Sequence, residues 1–133
     1  MTGDNARENA LEEQARGEEA LAAARHLLDG GFHADAVSRA YYAAFHWAQA
    51  LLVSHGIQAR SHRGVIQLIG LHFVREGRLA ESDAAGLAHL ETYRELSDYS
   101  ASASFTRAQA EEEIARADQF IEACKRVIGA PAQ

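Results

Sequence analysis

Along most of this chain apolar residues recur at steps of three and four, the spacing that gathers side chains on one face of an α-helix. No segment alternates apolar and polar residues as a half-buried strand does. The clearest run is Val37, Ala40, Tyr41, Ala44, Phe45, Ala48, Leu51 and Leu52. It predicts a helix starting near Asp35, a residue suited to an N-cap, and ending at "SHG", Ser54 to Gly56. Ahead of it, Ala10, Leu21, Ala24, Leu27 and Leu28 mark a first helix from near Asn5 to Leu28, stopped by "DGG" at Asp29 to Gly31. Behind it, Ser61 caps a third helix carrying Val65, Ile66, Ile69, Phe73 and Val74, closed by Gly77. Ser82 caps a fourth, with Leu87, Leu90, Tyr93 and Leu96 turned inward. After the loop Ser100 to Phe105, Thr106 and Gln109 form a capping box for a fifth helix striped by Ala110, Ile114, Ala117, Ile121, Cys124 and Ile128.

Short connections between such helices favour antiparallel packing, so the expected fold class is all-α, a five-helix up-and-down bundle. The 133 residues suit one domain, with loose ends at about residues 1–5 and 129–133. The one proline, Pro131, leaves every helix interior unbroken. The aromatic and small-residue rhythm around Tyr41 also fits a tetratricopeptide-like hairpin. That architecture needs about three stacked copies of a ~34-residue unit, and no second copy is present.

Charge narrows the function. A net charge of −6 argues against nonspecific coating of nucleic acid. The acids are concentrated near the start, whereas Arg60, Arg63, Arg75 and Arg78 share their stretch with a single acid, Glu76. That stretch is a solvated basic face, and it is also where an anion would find its best field. The lone Cys124 permits no internal disulfide and reads as a small core residue, which fits a reducing, cytoplasmic setting. Neither a signal-peptide core nor a membrane-length apolar run is visible.

Seven histidines invite a metal, but none is spaced as a ligand pair with another on one helix, and HExxH is missing. No metal or other cofactor is expected. Glycine-rich phosphate loops and a GxSxG elbow are missing as well. What remains is "SRAYYAAFHW", Ser38 to Trp47. At about 100° per residue, Arg39 and His46 fall within about 20° of one line on the helix, with Tyr42 and Gln49 near it. Beside the apolar stripe of Tyr41 and Phe45, this polar line reads in two ways. It is the satisfied edge of a core, or it is a site in which Arg39 holds a phosphate and His46 moves a proton near neutral pH. The second arrangement is what metal-free RNA cleavage needs: a base for the 2′-hydroxyl and a cation for the phosphorus oxygens.

Three segments, "AVSRAYYAAFHWAQALL" (36–52), "RSHRGVIQLIGLHFVREGRL" (60–79) and "LETYRELSDYSA" (90–101), together resemble the HEPN domain family, in particular its small stand-alone bacterial and archaeal members. The resemblance runs from about Leu21 to Ile128. It implies a five-helix domain that commonly dimerises. Many relatives are metal-independent endoribonucleases of toxin–antitoxin or defence systems, and small ones are often encoded beside a minimal nucleotidyltransferase. The family signature is an arginine, four to six residues and a histidine, late in the fourth helix. Here "YRELSDYS" keeps Arg94 but has Asp98 and Tyr99 where the histidine would stand.

Two readings therefore stand. In one the chain is a nucleotide- or RNA-binding homodimer, with an endoribonuclease site of Arg39, His46 and Arg94, oriented by Tyr42 and assisted by His62 and Arg63 at the start of the third helix. In the other, Arg94 simply pairs with Asp98 and the domain is a non-catalytic partner-binding or dimerisation module. In that case a nucleotidyltransferase is the implied partner and Tyr99 the residue it would modify. A plain helical scaffold without a ligand is the weaker third.

Overall fold

The computed structural model describes residues 3–99 and 104–129. The outermost residues of both expected loose ends, and most of the expected loop at Ser100 to Phe105, lie outside them. Five α-helices follow one another: α1 (Gly3–Asp29), α2 (His33–Ser54), α3 (His62–Ile69), α4 (Glu81–Tyr99) and α5 (Arg107–Gly129). A π-helical turn, Gly70–Val74, extends α3. No strand is present among the described residues. The fold is the all-α bundle that the periodicity implied.

The centre of the bundle is α2. Thirteen of its 22 residues are buried, spread around its circumference, so it must be covered on several sides. Its alanines let neighbouring helices approach closely. α1 runs antiparallel to it, with Gly17 against Ala43 and Trp47, where an added Cβ would stand 2.5 Å from the indole. α4 lies antiparallel on another side, and Ser97 Oγ donates to the Ala34 carbonyl at 2.7 Å near the start of α2. α5 completes the packing with Phe120, Ile121 and Cys124, all at most 1% exposed. Tyr41, Phe73, Leu51, Ile69, Leu87 and Leu90 fill the interior between these elements. Each such side chain contributes roughly 1.5–3 kcal/mol on burial.

The helix ends follow the local chemistry, with three corrections. Ser61 Oγ accepts from Gly64 N at 2.9 Å, capping α3. The Thr106–Gln109 box closes in both directions, at 2.9 and 3.1 Å. Asp35 does not cap α2: the helix starts at His33, with Phe32 in the cap position and no side-chain bond there. Instead His33 Nδ1 donates to the Phe105 carbonyl at 3.0 Å, so a distant loop anchors this end. Ser82 does not cap α4 either, because the helix already includes Glu81 and Asp83 Oδ2 accepts from Ala80 N at 3.3 Å. The third correction is Leu96, expected inward but 47% exposed, while Arg94 is the residue of that turn that is buried. After the π turn, Gly77 adopts φ +77, the left-handed conformation that lets Leu79 N reach back to the Phe73 carbonyl.

Candidate functional site

Tyr41 and Tyr42, adjacent on α2, point their rings toward the gap between α2, the start of α3 and the last turns of α4. Tyr41 is fully buried. A buried phenol needs a partner, and His62 supplies one: the two side chains meet at 2.6 Å between Oη and Nδ1. Burial first, then Glu91, hold Tyr41 well above the ordinary phenol range, so the hydroxyl keeps its proton and donates. Burial and the nearby Arg94 guanidinium push His62 below its ordinary value, so the imidazole is neutral and accepts at Nδ1. His62 is stacked on Phe45 with ring centres 4.2 Å apart and a 9° interplanar angle.

Arg94 comes into the same place from α4. It is only 7% exposed, its guanidinium 5.1 Å from the Tyr41 ring centre and 6.0 Å from that of Tyr42. Its carboxylate contacts are loose, 3.5 Å to Asp98 and 3.9 Å to Glu91, and Nε is buried without a partner. Burial by itself would lower Arg94, but Tyr42, Tyr41 and hydrogen bonds to Tyr99 and Asp98 outweigh it, and the net effect is upward. Arg94 is a permanent cation on an aromatic floor.

Arg39 approaches that floor from the solvent side, its guanidinium 4.7 Å from the Tyr42 ring centre. Together with Leu27, Asp35, Ser38, Tyr42 and Asp98, it lines an open cavity of about 410 Å³. Tyr99, 79% exposed, has its ring 5.9 Å from the Arg94 guanidinium. Arg39, Tyr42, His62, Arg94, Asp98 and Tyr99 are thus brought into one neighbourhood by three helices. His46 lies one turn further along α2 and faces α1, its Nδ1 2.8 Å from Glu13 Oε2. It still acts electrostatically on His62, and the Phe45 ring contacts both imidazoles, with centres 5.8 Å from His46 and 4.2 Å from His62. Arg63 is exposed on the outer side of α3.

Sequence reasoning missed three contributors. Glu13 belongs to the acidic first helix, and nothing local ties it to a histidine 33 positions away. Glu91 precedes Arg94 by one turn and faces it. Tyr41 was assigned to the core, correctly for its ring. The signal for its second role was the hydroxyl, which a buried site must satisfy.

A group of three or more histidine, cysteine or acidic side chains placed to hold a metal ion is not found among the described residues. No described helix is long and apolar enough to cross a membrane.

Comparison with known proteins decides the family. Residues 13–127 match the HEPN domain model. The chain belongs to the HEPN family. Similar members include a Methanocaldococcus jannaschii protein named "Putative toxin MJ0605", 37% identical over 84% of this chain and 82% of its own length. A Gloeobacter violaceus protein named only as a UPF0332 protein is 37% identical over 80% of this chain and 86% of its own. A Pyrococcus horikoshii UPF0332 protein is 46% identical over a shorter span, 59% of this chain and 56% of its own.

Proposed function

We propose that this HEPN domain is a toxin-like RNA-binding protein whose phosphate-binding site is the Arg94 cluster, and that His46, which the fold turns toward α1, swings out of its Glu13 contact to serve that site as the base of a metal-independent RNA cleavage. The observation that carries the reading is the convergence of two guanidinium groups, Arg94 and Arg39, on the Tyr42 ring beside an open cavity. Planar guanidinium forks suit phosphate oxygens, and exposed aromatic faces suit bases. The loose hold of Asp98 and Glu91 on Arg94 leaves its charge available to a stronger anion. The relatives named as toxins support the biological class.

Turned from Glu13 toward Arg39, a neutral His46 can take the proton of a ribose 2′-hydroxyl. The 2′-oxygen then bonds to phosphorus while the bond to the 5′-oxygen breaks. Arg94 and Arg39 stabilise the charge on the non-bridging oxygens, and a proton returned from the imidazolium neutralises the leaving oxygen. The products are a 2′,3′-cyclic phosphate and a 5′-hydroxyl. His62, neutral and accepting at Nδ1, offers Nε2–H as a hydrogen-bond donor to the same phosphate. The test is purified protein on mixed RNA with chelator present, beside His46→Ala and Arg94→Lys. Cyclic-phosphate products from the parent, lost in both variants, are expected. Equal cleavage by parent and His46→Ala, or none by either, sinks the catalytic part and leaves binding.

A second reading is favoured by the outer face of α4. Thr92, Glu95, Leu96 and Tyr99 line an open cavity of about 340 Å³, with Leu96 and Tyr99 both well exposed. Such a face suits a second copy, which would set two Arg94 clusters side by side, or a nucleotidyltransferase that acts on the exposed Tyr99 hydroxyl. Sedimentation of the parent and Leu96→Glu distinguishes them: a dimer that becomes a monomer supports the homodimer, whereas a parent that sediments as a monomer directs the face to another protein.

A further inference from the structure

The cations of this protein fall into two populations. Most of those on α5, and Arg25 on α1, are neutralised: Arg25 pairs with Asp118 at 3.1 Å, Arg107 with Glu111 at 2.7 Å, Arg116 with Glu112 at 3.7 Å and Lys125 with Glu18 at 3.3 Å, whereas Arg7, Arg16 and Arg126 stand singly among the described residues. Those around α3 are not neutralised. Among the described residues Arg60, Arg63, Arg75 and Arg78 are exposed and none pairs with a carboxylate. Arg78 is even held in place without losing its charge. Its Nη1 donates to His55 Nε2 at 3.1 Å, and its guanidinium lies 5.5 Å from the Phe73 ring centre. His55 in turn gives Nδ1–H to the Leu51 carbonyl at 3.0 Å, which leaves Nε2 to accept from Arg78.

The helix geometry aligns these charges. Arg63, Gln67, Leu71 and Arg75 are the exposed positions at successive steps of four. In a regular α-helix that line would drift around the axis by about 40° per step. The π turn, with Arg75 N bonded to the Gly70 carbonyl at 3.0 Å, widens the last part of the helix and limits the drift. The result is one exposed edge roughly 18 Å long at about 1.5 Å per residue, with an arginine at each end and Gln67 and Leu71 between them. The residue before Arg63 is His62, which hydrogen-bonds Tyr41 in the candidate site.

We infer that the exposed edge of α3, from Arg63 to Arg75 with Arg60 and Arg78 beside it, is a docking track for the phosphodiester backbone of single-stranded RNA, leading the strand to the Arg94 cluster. Repeated phosphates match unpaired cations spaced along an edge. Continuity with a floor of tyrosines at the end of the track favours nucleic acid over an acidic protein, because bases can stack there. The inference takes its direction from the RNA-binding reading of the site, but its residues are separate from those of the site.

The experiment measures binding of a fluorescent 20-nucleotide single-stranded RNA, 2′-O-methylated to block cleavage, across a salt series. Adenosine monophosphate binding is measured in parallel, on the full chain, Arg63→Gln/Arg75→Gln and Arg78→Gln. Loss of two phosphate contacts should lower the slope of log affinity against log salt by about 1.4 in the double variant, at about 0.7 per contact for single strands. Mononucleotide binding and the melting temperature should be unchanged, since these are exposed positions. An unaltered slope and affinity in the double variant overturns the track, as does a parent that holds polyglutamate as tightly as the 20-mer. If the track variants lose slope while the parent neither binds the mononucleotide nor cleaves RNA, the site reading fails and the track stands. If the mononucleotide binds and the slope is unmoved, the reverse holds.

Discussion

Replacing Tyr41 by phenylalanine removes one oxygen from the middle of the candidate site and leaves the packing ring in place. The ring is fully buried, so the change isolates the 2.6 Å contact with His62 Nδ1. A neutral hydrogen bond contributes about 0.5–1.5 kcal/mol net. His62 is only partly buried, so water can reach its abandoned nitrogen, and the penalty for an unsatisfied acceptor is small. A loss of about 1 kcal/mol is therefore expected, or roughly 3–5 °C in melting temperature for a chain of this size. The bond also has a pH signature. Burial and Arg94 depress His62, so the folded protein prefers the neutral ring. The unfolded chain takes up that proton near pH 6.5. The stability contributed is complete above that value and declines as pH falls through it toward the lower folded value. Without the Tyr41 donor, His62 protonates more readily, and the acid-side decline shrinks in Tyr41→Phe. Urea unfolding of the parent, Tyr41→Phe, His62→Gln and the double variant, at pH 7.5 and 5.5, measures both effects. A coupling energy of about 0.5–1.5 kcal/mol between the two positions is expected at pH 7.5. Additive losses, or a parent whose acid-side decline is unchanged by either substitution, refute the account of this pair.

Gly17→Ala should destabilise by about 1–3 kcal/mol through overpacking, because its Cβ would stand 2.5 Å from Trp47 Cδ1 and 3.1 Å from the Ala43 carbonyl; thermal melting with intrinsic fluorescence reports both the loss and the disturbed indole. Ser61→Ala removes the cap on Gly64 N and should cost about 1 kcal/mol, with amide exchange accelerating first at the start of α3. Cys124 is wholly buried and its thiol is held far above the ordinary range by desolvation and then by Asp83, so maleimide should label it only as fast as the chain opens, and labelling at the rate of a free thiol in native buffer would contradict the packing.

Helix existence was legible in the sequence because burial of an amphipathic face is a local pattern. The stripe from Val37 to Leu52 is buried on the stated positions, and the caps at Ser61 and Thr106 act within three residues of themselves. The end of α2 was less legible: its anchor, the Phe105 carbonyl, is 72 positions from His33. Leu96 was misplaced because an apolar residue on a helical period was assumed to face inward. In the fold that turn buries Arg94 against the two tyrosines and leaves Leu96 on the outer face.

The candidate site shows the same division. Composition and spacing determined that Arg39, Tyr42 and His46 form one polar line on α2, and that Asp98 lies within an ion-pair step of Arg94. Tertiary structure alone decided that the line is split. Tyr42 and Arg39 join Arg94 and His62, whereas His46 is drawn by Glu13 toward α1. The reason is physical. Helical periodicity fixes directions around one axis, but the partner that satisfies a buried hydroxyl or completes an imidazole's tautomer comes from another helix, and its arrival depends on how the helices cross.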